Sequence, residues 1–366
     1  MKKINRRQAI ARVGMSVGAL ALANWPNRAL AAIPSPSQKL RSDWMVGKWG
    51  MMVHWIAPGP NPEHGQHITD LNRAVNAFHL GRFLEQFEAS GADFLMFTIG
   101  QNTSYYASPN STLDRLAGSG HCSERDLILE IAKGVQERQK RFIAYLPAEV
   151  QQPKSLHAAF AWNSGGDQTE FEHRYTSFIR EYSERYAGAV DGWWFDGCYT
   201  WPDFPNKIRH WPLWLNAARA GNPEAAVAFN DGAFYSGITR PVTPLEDFFS
   251  GECWGFSDGK IMVGHGEKTT LTMPVGRFVE GTKCQFHVQT PIDCNGNWWH
   301  ENLGSMPPPK YADEDLFPVV RNCLQTGGTV TLNVGIYQEG NISKETLSQL
   351  KRLSLDLKQL KTGAGA

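Results

Sequence analysis

The sequence predicts an α/β protein built as a (β/α)8 (TIM) barrel. Short apolar runs typical of buried strands alternate with amphipathic stretches typical of helices. The runs number eight, the strand count of this barrel, and 366 residues suffice for one barrel with insertions. An open doubly wound sheet is the alternative, but residues 55–59, after the first strand, lack the Gly-rich phosphate turn normal in that fold.

Each predicted element follows from its residue pattern. The apolar runs predict strands at 48–55, 94–98, 142–146, 193–195, 225–229, 247–250, 284–288 and 329–334. Helical periodicity predicts helices over 80–89, 125–139, 170–186, 313–325 and 344–360. Ser123 with Asp126 three residues on, Thr169 and Ser343 stand where three of these helices are expected to begin.

Residues 1–31 are predicted to be an export signal. Basic residues at positions 2, 3, 6 and 7 precede an uncharged stretch at 13–23, and small residues at 29–31 form a cleavage site. The pair Arg6 and Arg7 favours the twin-arginine route over ordinary secretion. We expect a periplasmic or secreted protein of residues 32–366 without stable membrane insertion; retention by an uncleaved anchor is the alternative.

Composition excludes some classes of function. Lys+Arg and Asp+Glu both total 36, so electrostatics give no reason to expect nucleic-acid binding. Thirteen Trp and ten Tyr can fill a core or offer flat faces to sugar rings. The six cysteines fit no zinc spacing, and Cys284 with Cys294 is the pair to test for a disulfide. We expect no metal and no cofactor.

The predicted strand at 193–195 ends on a carboxylate. Asp196 follows large aromatic residues and precedes Gly197. An ionised Asp is costly to bury unpaired, and the carboxyl ends of parallel strands line the active site of a barrel. We therefore expect Asp196 in an active site; a helix cap or a turn with Gly197 is the alternative role.

Four segments, in order along the chain, resemble the α-L-fucosidase family, glycoside hydrolase family 29. The first runs through glycine and apolar residues to a His-Trp pair, the second is a strand preceded by the expected helix, the third resembles the segment that carries the nucleophile, and the fourth resembles the last-strand signature. They are residues 49–55, 91–98, 194–197 and 327–335. The resemblance covers about residues 45–355.

The resemblance implies a retaining exo-glycosidase. In that mechanism a carboxylate attacks the anomeric carbon and a second acidic group, about 5–5.5 Å away, protonates the leaving oxygen and then activates water. By position, Asp196 is the implied nucleophile and His54 the implied ligand of a sugar hydroxyl. Trp55 and Trp194 are expected to form walls of the sugar site. A buried structural histidine is the alternative role for His54.

The chain departs from the family pattern at the sugar site. Where the family has a His-His pair that grips fucose, this sequence has Gln101 and Asn102, which bind hydroxyls without a cationic donor. Tyr105 is expected to stack on or bind the ring. Tyr145, Trp298 and Trp299 complete the predicted substrate contacts; a packed loop anchor is the alternative for the two tryptophans. Many family members also carry a carboxyl-terminal β-sandwich, whereas here we expect a single catalytic domain.

No segment of this sequence clearly matches the part of the family that carries the acid/base residue. Glu252 is the first choice because it follows a predicted strand and precedes Cys253 and Trp254, apolar neighbours that would raise its pKa. Glu280 and His287 are the alternatives.

Three functions stay open at this point. The first is a retaining exo-glycosidase acting on terminal α-L-fucose in a glycan. The second is an active glycosidase for a related sugar, such as an α-L-galactoside. The third is a carbohydrate-binding barrel without catalysis, to which the changed sugar site and the unmatched acid point.

Overall fold

The computed structural model describes residues 39–163, 166–198, 209–232, 241–257, 260–263, 269–272, 276–278 and 281–363. The predicted export signal and Glu280 lie outside these described residues. The account below concerns the unit that runs from Leu40 to the end of the chain.

Seven parallel strands form one curled sheet in the order β5-β4-β3-β2-β1-β10-β9, so the predicted α/β class is confirmed. These strands are β1 Trp49–Val53, β2 Phe94–Thr98, β3 Arg141–Pro147, β4 Gly192–Asp196, β5 Ala226–Phe229, β9 His287–Pro291 and β10 Thr329–Val334. A small antiparallel sheet lies between β5 and β9 in sequence: β6 Gly255–Ser257, β7 Lys260–Val263 and β8 Thr269–Thr272.

The predicted strand at 247–250 does not form a regular strand. Asp247 N donates to Val227 O of β5 (2.9 Å), and an isolated bridge joins the segment to Gln285, where Gln285 N donates to Asp247 O (2.9 Å) and Phe249 N donates to Gln285 O (3.0 Å). Gly251 interrupts the extended geometry with φ +77°, and a Cβ there would lie 2.5 Å from His287 O. The neighbouring prediction at 284–288 is also displaced, since β9 begins at His287.

Helices connect the strands within the described residues. They are α1 Leu71–Ala77, α2 Leu80–Ser90, α3 Ser111–Ala117, α4 Leu127–Glu137, α5 His157–Phe160, α6 Thr169–Tyr186, α7 Trp211–Ala218, α8 Asp313–Gln325 and α9 Lys344–Gly363. Asp126, not Ser123, caps α4: its carboxylate accepts from Leu129 N (3.1 Å), whereas the Ser123 hydroxyl donates to Arg125 O. In the described part of the chain, no helix combines the length and apolarity needed to cross a membrane.

Strand alternation separates two groups of buried side chains. Trp193 and Phe195 of β4 belong to the large cluster shared with the helices, while Trp194 packs with Tyr145 and Phe248 in a second cluster. Successive strand residues point to opposite faces, so Asp196 lies on the same face of β4 as Trp194. This register brings the carboxylate to the inner side of the sheet.

All six cysteines carry free thiols, so the pair Cys284 and Cys294 is not bridged. Five of them are buried and Cys122 is half-buried. Burial raises the pKa of the thiols of Cys198, Cys253 and Cys323 to about 12. These cysteines therefore act as small apolar core residues.

Candidate active site

The Asp196 carboxylate ends β4 and accepts hydrogen bonds on both oxygens. The Tyr145 hydroxyl donates to Oδ2 at 2.5 Å, with a longer contact from Gln101 Nε2 at 3.4 Å. Asn230 Nδ2 and Gly197 N each donate to Oδ1 at 2.8 Å. Donors on both sides fix the orientation of the carboxylate, since hydrogen bonds to charged groups are among the stronger ones in proteins.

Glu252 shares a donor with Asp196. Asn230 Nδ2, which bonds to Asp196 Oδ1, also donates to Glu252 Oε2. The nearest oxygens of the two carboxyl groups therefore lie within two hydrogen-bond lengths, about 5–6 Å at most. This upper limit is compatible with the separation of about 5–5.5 Å in retaining glycosidases and lies below the roughly 6.5–9.5 Å of inverting ones.

The two acidic groups have different electrostatic surroundings. Burial, and then the negative charge of Asp196, raise the pKa of Glu252 to about 8, against a smaller lowering by the hydrogen bond from Asn230. Glu252 is therefore protonated at neutral pH beside a hydrogen-bonded carboxylate. One group can give a proton while the other offers a lone pair, which is the division of roles in a general acid and a nucleophile.

His54 follows β1 and is held in one tautomer. Asn333 Nδ2 donates to Trp298 O (2.8 Å), so its Oδ1 is the acceptor for His54 Nδ1 (2.8 Å). Burial lowers the pKa of His54 to about 4, and the ring is neutral at physiological pH. Its Nε2 then carries a lone pair that can accept a hydrogen bond from a hydroxyl.

These groups surround a cavity of about 190 Å³. Its walls are His54, Gln101, Asn102, Trp194, Asp196, Glu252, Trp254, Gln289, Trp298 and Trp299. Pockets for drug-sized ligands measure about 300–1,000 Å³, so this one suits a single ring. A larger cavity of about 470 Å³ adjoins it and shares the walls Gln101, Asn102 and Trp299.

No protein-family model and no curated protein matches the chain, whereas solved structures do. An endo-fucoidan hydrolase from glycoside hydrolase family 107 is 14% identical with a TM-score of 0.61, covering 88% of this chain and 94% of that one. The α-L-fucosidase isoenzyme 1 from Paenibacillus thiaminolyticus is 16% identical with a TM-score of 0.58, covering 87% and 75%. A second family 107 endo-fucoidan hydrolase is 17% identical with a TM-score of 0.63, and the chain spans 55% of its length. The chain has the fold of these glycoside hydrolases.

Most, but not all, of the predicted site residues line the cavity. Asp196, Glu252, His54, Gln101, Asn102, Trp194, Trp298 and Trp299 line the cavity. Tyr145 contacts Asp196 directly and stacks on Trp194, with ring centroids 5.0 Å apart. Gln101 and Asn102 are thus both at the cavity, and Gln101 Nε2 donates to the Tyr145 hydroxyl.

Two predicted substrate contacts, Trp55 and Tyr105, lie away from the cavity. Trp55 is fully buried outside the cavity; its indole N–H donates to Gln338 O (2.9 Å) and its ring packs edge-on against Phe78. Tyr105 is 38% exposed and lies beside His121 instead of at the cavity wall. Neither residue lines the cavity.

His287 is not at the cavity either. Its Nδ1 donates to Phe249 O (2.9 Å) and its Nε2 accepts from the Thr331 hydroxyl (2.7 Å), so both ring nitrogens are occupied. Burial lowers the pKa of His287 to about 4. This histidine is a buried structural residue, and among the described acid candidates only Glu252 lines the cavity.

Sequence reasoning missed several residues of the site. Asn230 follows β5 in the sequence Phe229-Asn230-Asp231-Gly232, which repeats the pattern of a buried strand, a polar residue and a glycine seen at Asp196. That pattern was a usable signal. Gln289 and Trp254 had no comparable local signal, because long-range pairing brings them to the cavity.

A third acidic residue, Glu149, packs near Asp196. Glu149 is buried, and a Cβ on Gly197 would lie 2.6 Å from its Cγ, so only glycine fits there with φ +76°. Burial, with a smaller contribution from Asp196, raises the pKa of Glu149 to about 7. Glu149 does not line the cavity. In the ranges that the structure describes, no group of three or more His, Cys, Asp or Glu side chains could hold a metal ion.

Proposed function

We propose that the chain is a retaining exo-glycosidase of the α-L-fucosidase type, a divergent member of glycoside hydrolase family 29 that removes a terminal sugar from glycans. The observation that carries this proposal is the single Asn230 amide that contacts both Asp196 and Glu252 at a small, tryptophan-walled cavity. A shared donor keeps the two carboxyl groups close enough for double displacement, which supports this mechanism.

In the first step, an oxygen of Asp196 attacks the anomeric carbon and the bond to the leaving oxygen breaks. Glu252 transfers its proton to that oxygen, so the leaving group departs as a neutral alcohol. Forming the glycosyl ester removes the negative charge of Asp196. Because that charge helps to raise the pKa of Glu252, the pKa then falls.

In the second step, Glu252 acts as a base. Its carboxylate takes a proton from water, the water oxygen bonds to the anomeric carbon, and Asp196 is released as a carboxylate. The Asn230 amide donates to both groups, and we assign it the role of holding their separation. Tyr145 and Gly197 orient the nucleophile in the same way.

The sugar is L-fucose or a close relative such as L-galactose, held by neutral partners. His54 offers a lone pair, and Gln101 and Asn102 offer amides in place of cationic histidines. The tryptophan walls suit the apolar face of a sugar ring. The fold shared with α-L-fucosidases and endo-fucoidan hydrolases supports a fucose-type substrate.

We further propose that the segment 247–253 completes an eight-stranded barrel, because its backbone bonds to both β5 and the segment that leads into β9. Residues 1–31 would direct export through the twin-arginine route. The catalytic domain, residues 32–366, would then act in the periplasm or outside the cell.

The test is release of nitrophenol from a panel of α- and β-linked nitrophenyl glycosides. The wild type should hydrolyse an α-L-fucoside or a related glycoside, and Asp196→Asn should abolish turnover while keeping sugar binding. Asp191→Asn is the matched control, since it makes the same chemical change just before the other end of β4, where Asp191 pairs with Arg141. A folded wild type that cleaves no member of the panel, or full activity in Asp196→Asn, would contradict the proposal.

A further inference from the structure

Gln289 of β9 is a buried amide without partners. Its residue is 1% exposed, and within the described chain neither Oε1 nor Nε2 has a hydrogen-bond partner. A buried polar group left unpaired destabilises the folded state, and more than about 90% of such groups in proteins are paired. An apolar side chain of the same shape would avoid this cost, so the glutamine calls for a functional explanation.

Two polar residues, Gln285 and His287, precede Gln289 on the same face of the segment 285–289, and their side-chain polar atoms have hydrogen-bond partners. Gln285 Oε1 accepts from Arg277 Nε (2.9 Å), and its Nε2 donates to Gly327 O (2.8 Å). His287 has both ring nitrogens occupied. Gln289 comes next at the strand period of two, nearest the carboxyl end, and is the first of the three to reach the cavity.

Backbone pairing places Gln289 beside the proposed acid. Gln289 N donates to Gly251 O (2.7 Å) and Cys253 N donates to Gln289 O (2.9 Å), so the two bonds flank Glu252. The Gln289 side chain then shares the cavity walls with Asp196 and Glu252. A ligand held by this amide would lie next to both carboxyl groups.

Two other side-chain oxygens near Gln289 indicate which hydrogen-bonding groups such a ligand must carry. Gln101 Oε1 and Asn230 Oδ1 are also buried without a hydrogen-bond partner. Both are acceptors, and the planar Gln289 amide adds an acceptor oxygen and an NH2 group with two donor hydrogens. Each hydroxyl of a neutral sugar can both donate and accept a hydrogen bond. Neighbouring sugar hydroxyls could therefore pair with these acceptor oxygens and with the Gln289 NH2 group.

We propose that Gln289 is a specificity-determining residue that binds a pair of neighbouring hydroxyls on the sugar in the cavity. This inference rests on the proposed glycosidase function, and it names the ligand as a neutral sugar with adjacent hydroxyls. It also explains why the Gln289 amide is unpaired: the bound sugar supplies its missing hydrogen-bond partners.

The experiment compares Gln289→Met with Gln285→Met. Calorimetry with L-fucose, L-galactose, D-galactose, D-glucose and D-mannose measures binding without turnover, and thermal unfolding measures stability. Gln289→Met should weaken binding of the preferred sugar about 10- to 100-fold and leave Tm unchanged or raised, because an unpaired amide is removed. Gln285→Met should lower Tm, because it leaves the partners of Gln285 unpaired.

Deoxy sugars identify the hydroxyls. A sugar that lacks one of the bound hydroxyls should bind the wild type more weakly, and Gln289→Met should weaken its binding by less than it weakens that of the parent sugar. Unchanged affinity in Gln289→Met, a lowered Tm in that variant, or a wild type that binds none of the five sugars would overturn the inference. Binding lost in Gln289→Met but present in a wild type that hydrolyses nothing would support the inference and contradict only the proposed hydrolysis.

Discussion

The Tyr145 hydroxyl donates a hydrogen bond of 2.5 Å to Asp196 Oδ2. The register of β3 with β4 sets this contact, since Tyr145 lies opposite Trp194 and its ring stacks on that indole. The tyrosine ring is fully buried, so the hydroxyl is held in place by packing and not by the hydrogen bond alone. Packing and hydrogen bonding together position the carboxylate.

Tyr145→Phe should therefore reduce kcat without unfolding the protein. We expect a loss of about 10- to 100-fold, because one charge-assisted hydrogen bond to the nucleophile is removed while the stacked ring stays. Steady-state kinetics on the preferred nitrophenyl glycoside measure the loss. Tyr182→Phe is the control: the Tyr182 hydroxyl donates to Ser108 O (3.0 Å) away from the cavity, so this variant should lower Tm more than kcat. The reverse pattern would contradict the assignment.

The raised pKa of Glu252 predicts the alkaline side of the pH profile. A general acid must carry its proton, and the pKa of Glu252 in the free protein is about 8. For a substrate with a poor leaving group, kcat/KM should therefore be level near neutral pH and fall about tenfold per pH unit above 8. Activity measured from pH 6 to 10 tests this expectation.

Glu252→Gln should remove that alkaline fall and lower kcat/KM by about 10²- to 10⁴-fold for the poor leaving group, but much less for an activated nitrophenyl glycoside. Glu149→Gln is the matched control. Glu149 also has a raised pKa, about 7, but it does not line the cavity. If Glu149→Gln removed the fall near pH 8 and Glu252→Gln kept it, the acid would be assigned to the wrong residue.

Asn230 also influences the pH at which kcat/KM begins to fall. Its hydrogen bond lowers the pKa of Glu252, against the larger raising effects of burial and of the Asp196 charge. Asn230→Ala should therefore move the alkaline fall to higher pH while reducing kcat, because the shared donor is lost from both carboxyl groups. The measurement is again kcat/KM against pH. A fall that moved to lower pH, or kcat equal to that of the wild type, would contradict the role of the amide.

Local pattern was sufficient to predict most of the sheet and the position of Asp196. The apolar runs at 94–98 and 329–334 match β2 and β10 in both bounds, and both strands are buried along their whole length. The position of Asp196 was predictable because it is the polar end of a strand whose other residues are all buried. Trp55 does not line the cavity; it follows β1, beyond the part of the chain where strand alternation applies.

The remaining parts of the site depend on contacts between distant segments. The segment at 247–250 has the composition of a strand, but it forms only isolated bridges and is followed by Gly251 with φ +77°. Gln289 and Gln285 are the same residue type in the same segment, and only their tertiary partners make one a structural residue and the other an open amide. No window of sequence distinguishes them.

The burial and the free state of the cysteine thiols can be tested by chemical labelling. An exported protein meets oxidising conditions, in which paired cysteines would form disulfides. Here burial holds the pKa of the thiols of Cys198, Cys253 and Cys323 at about 12, so the reactive thiolate is scarce at neutral pH. Iodoacetamide should label the native protein slowly.

In denaturant without reductant, the same reagent should label all six cysteines, because each is a free thiol. Intact mass spectrometry counts the labels. Four labels, rising to six after reduction, would reveal one disulfide and contradict the structure, with Cys284 and Cys294 the first pair to examine by peptide mapping. Fast labelling of the native protein would instead show that the core opens readily, since buried thiols react only through exposure.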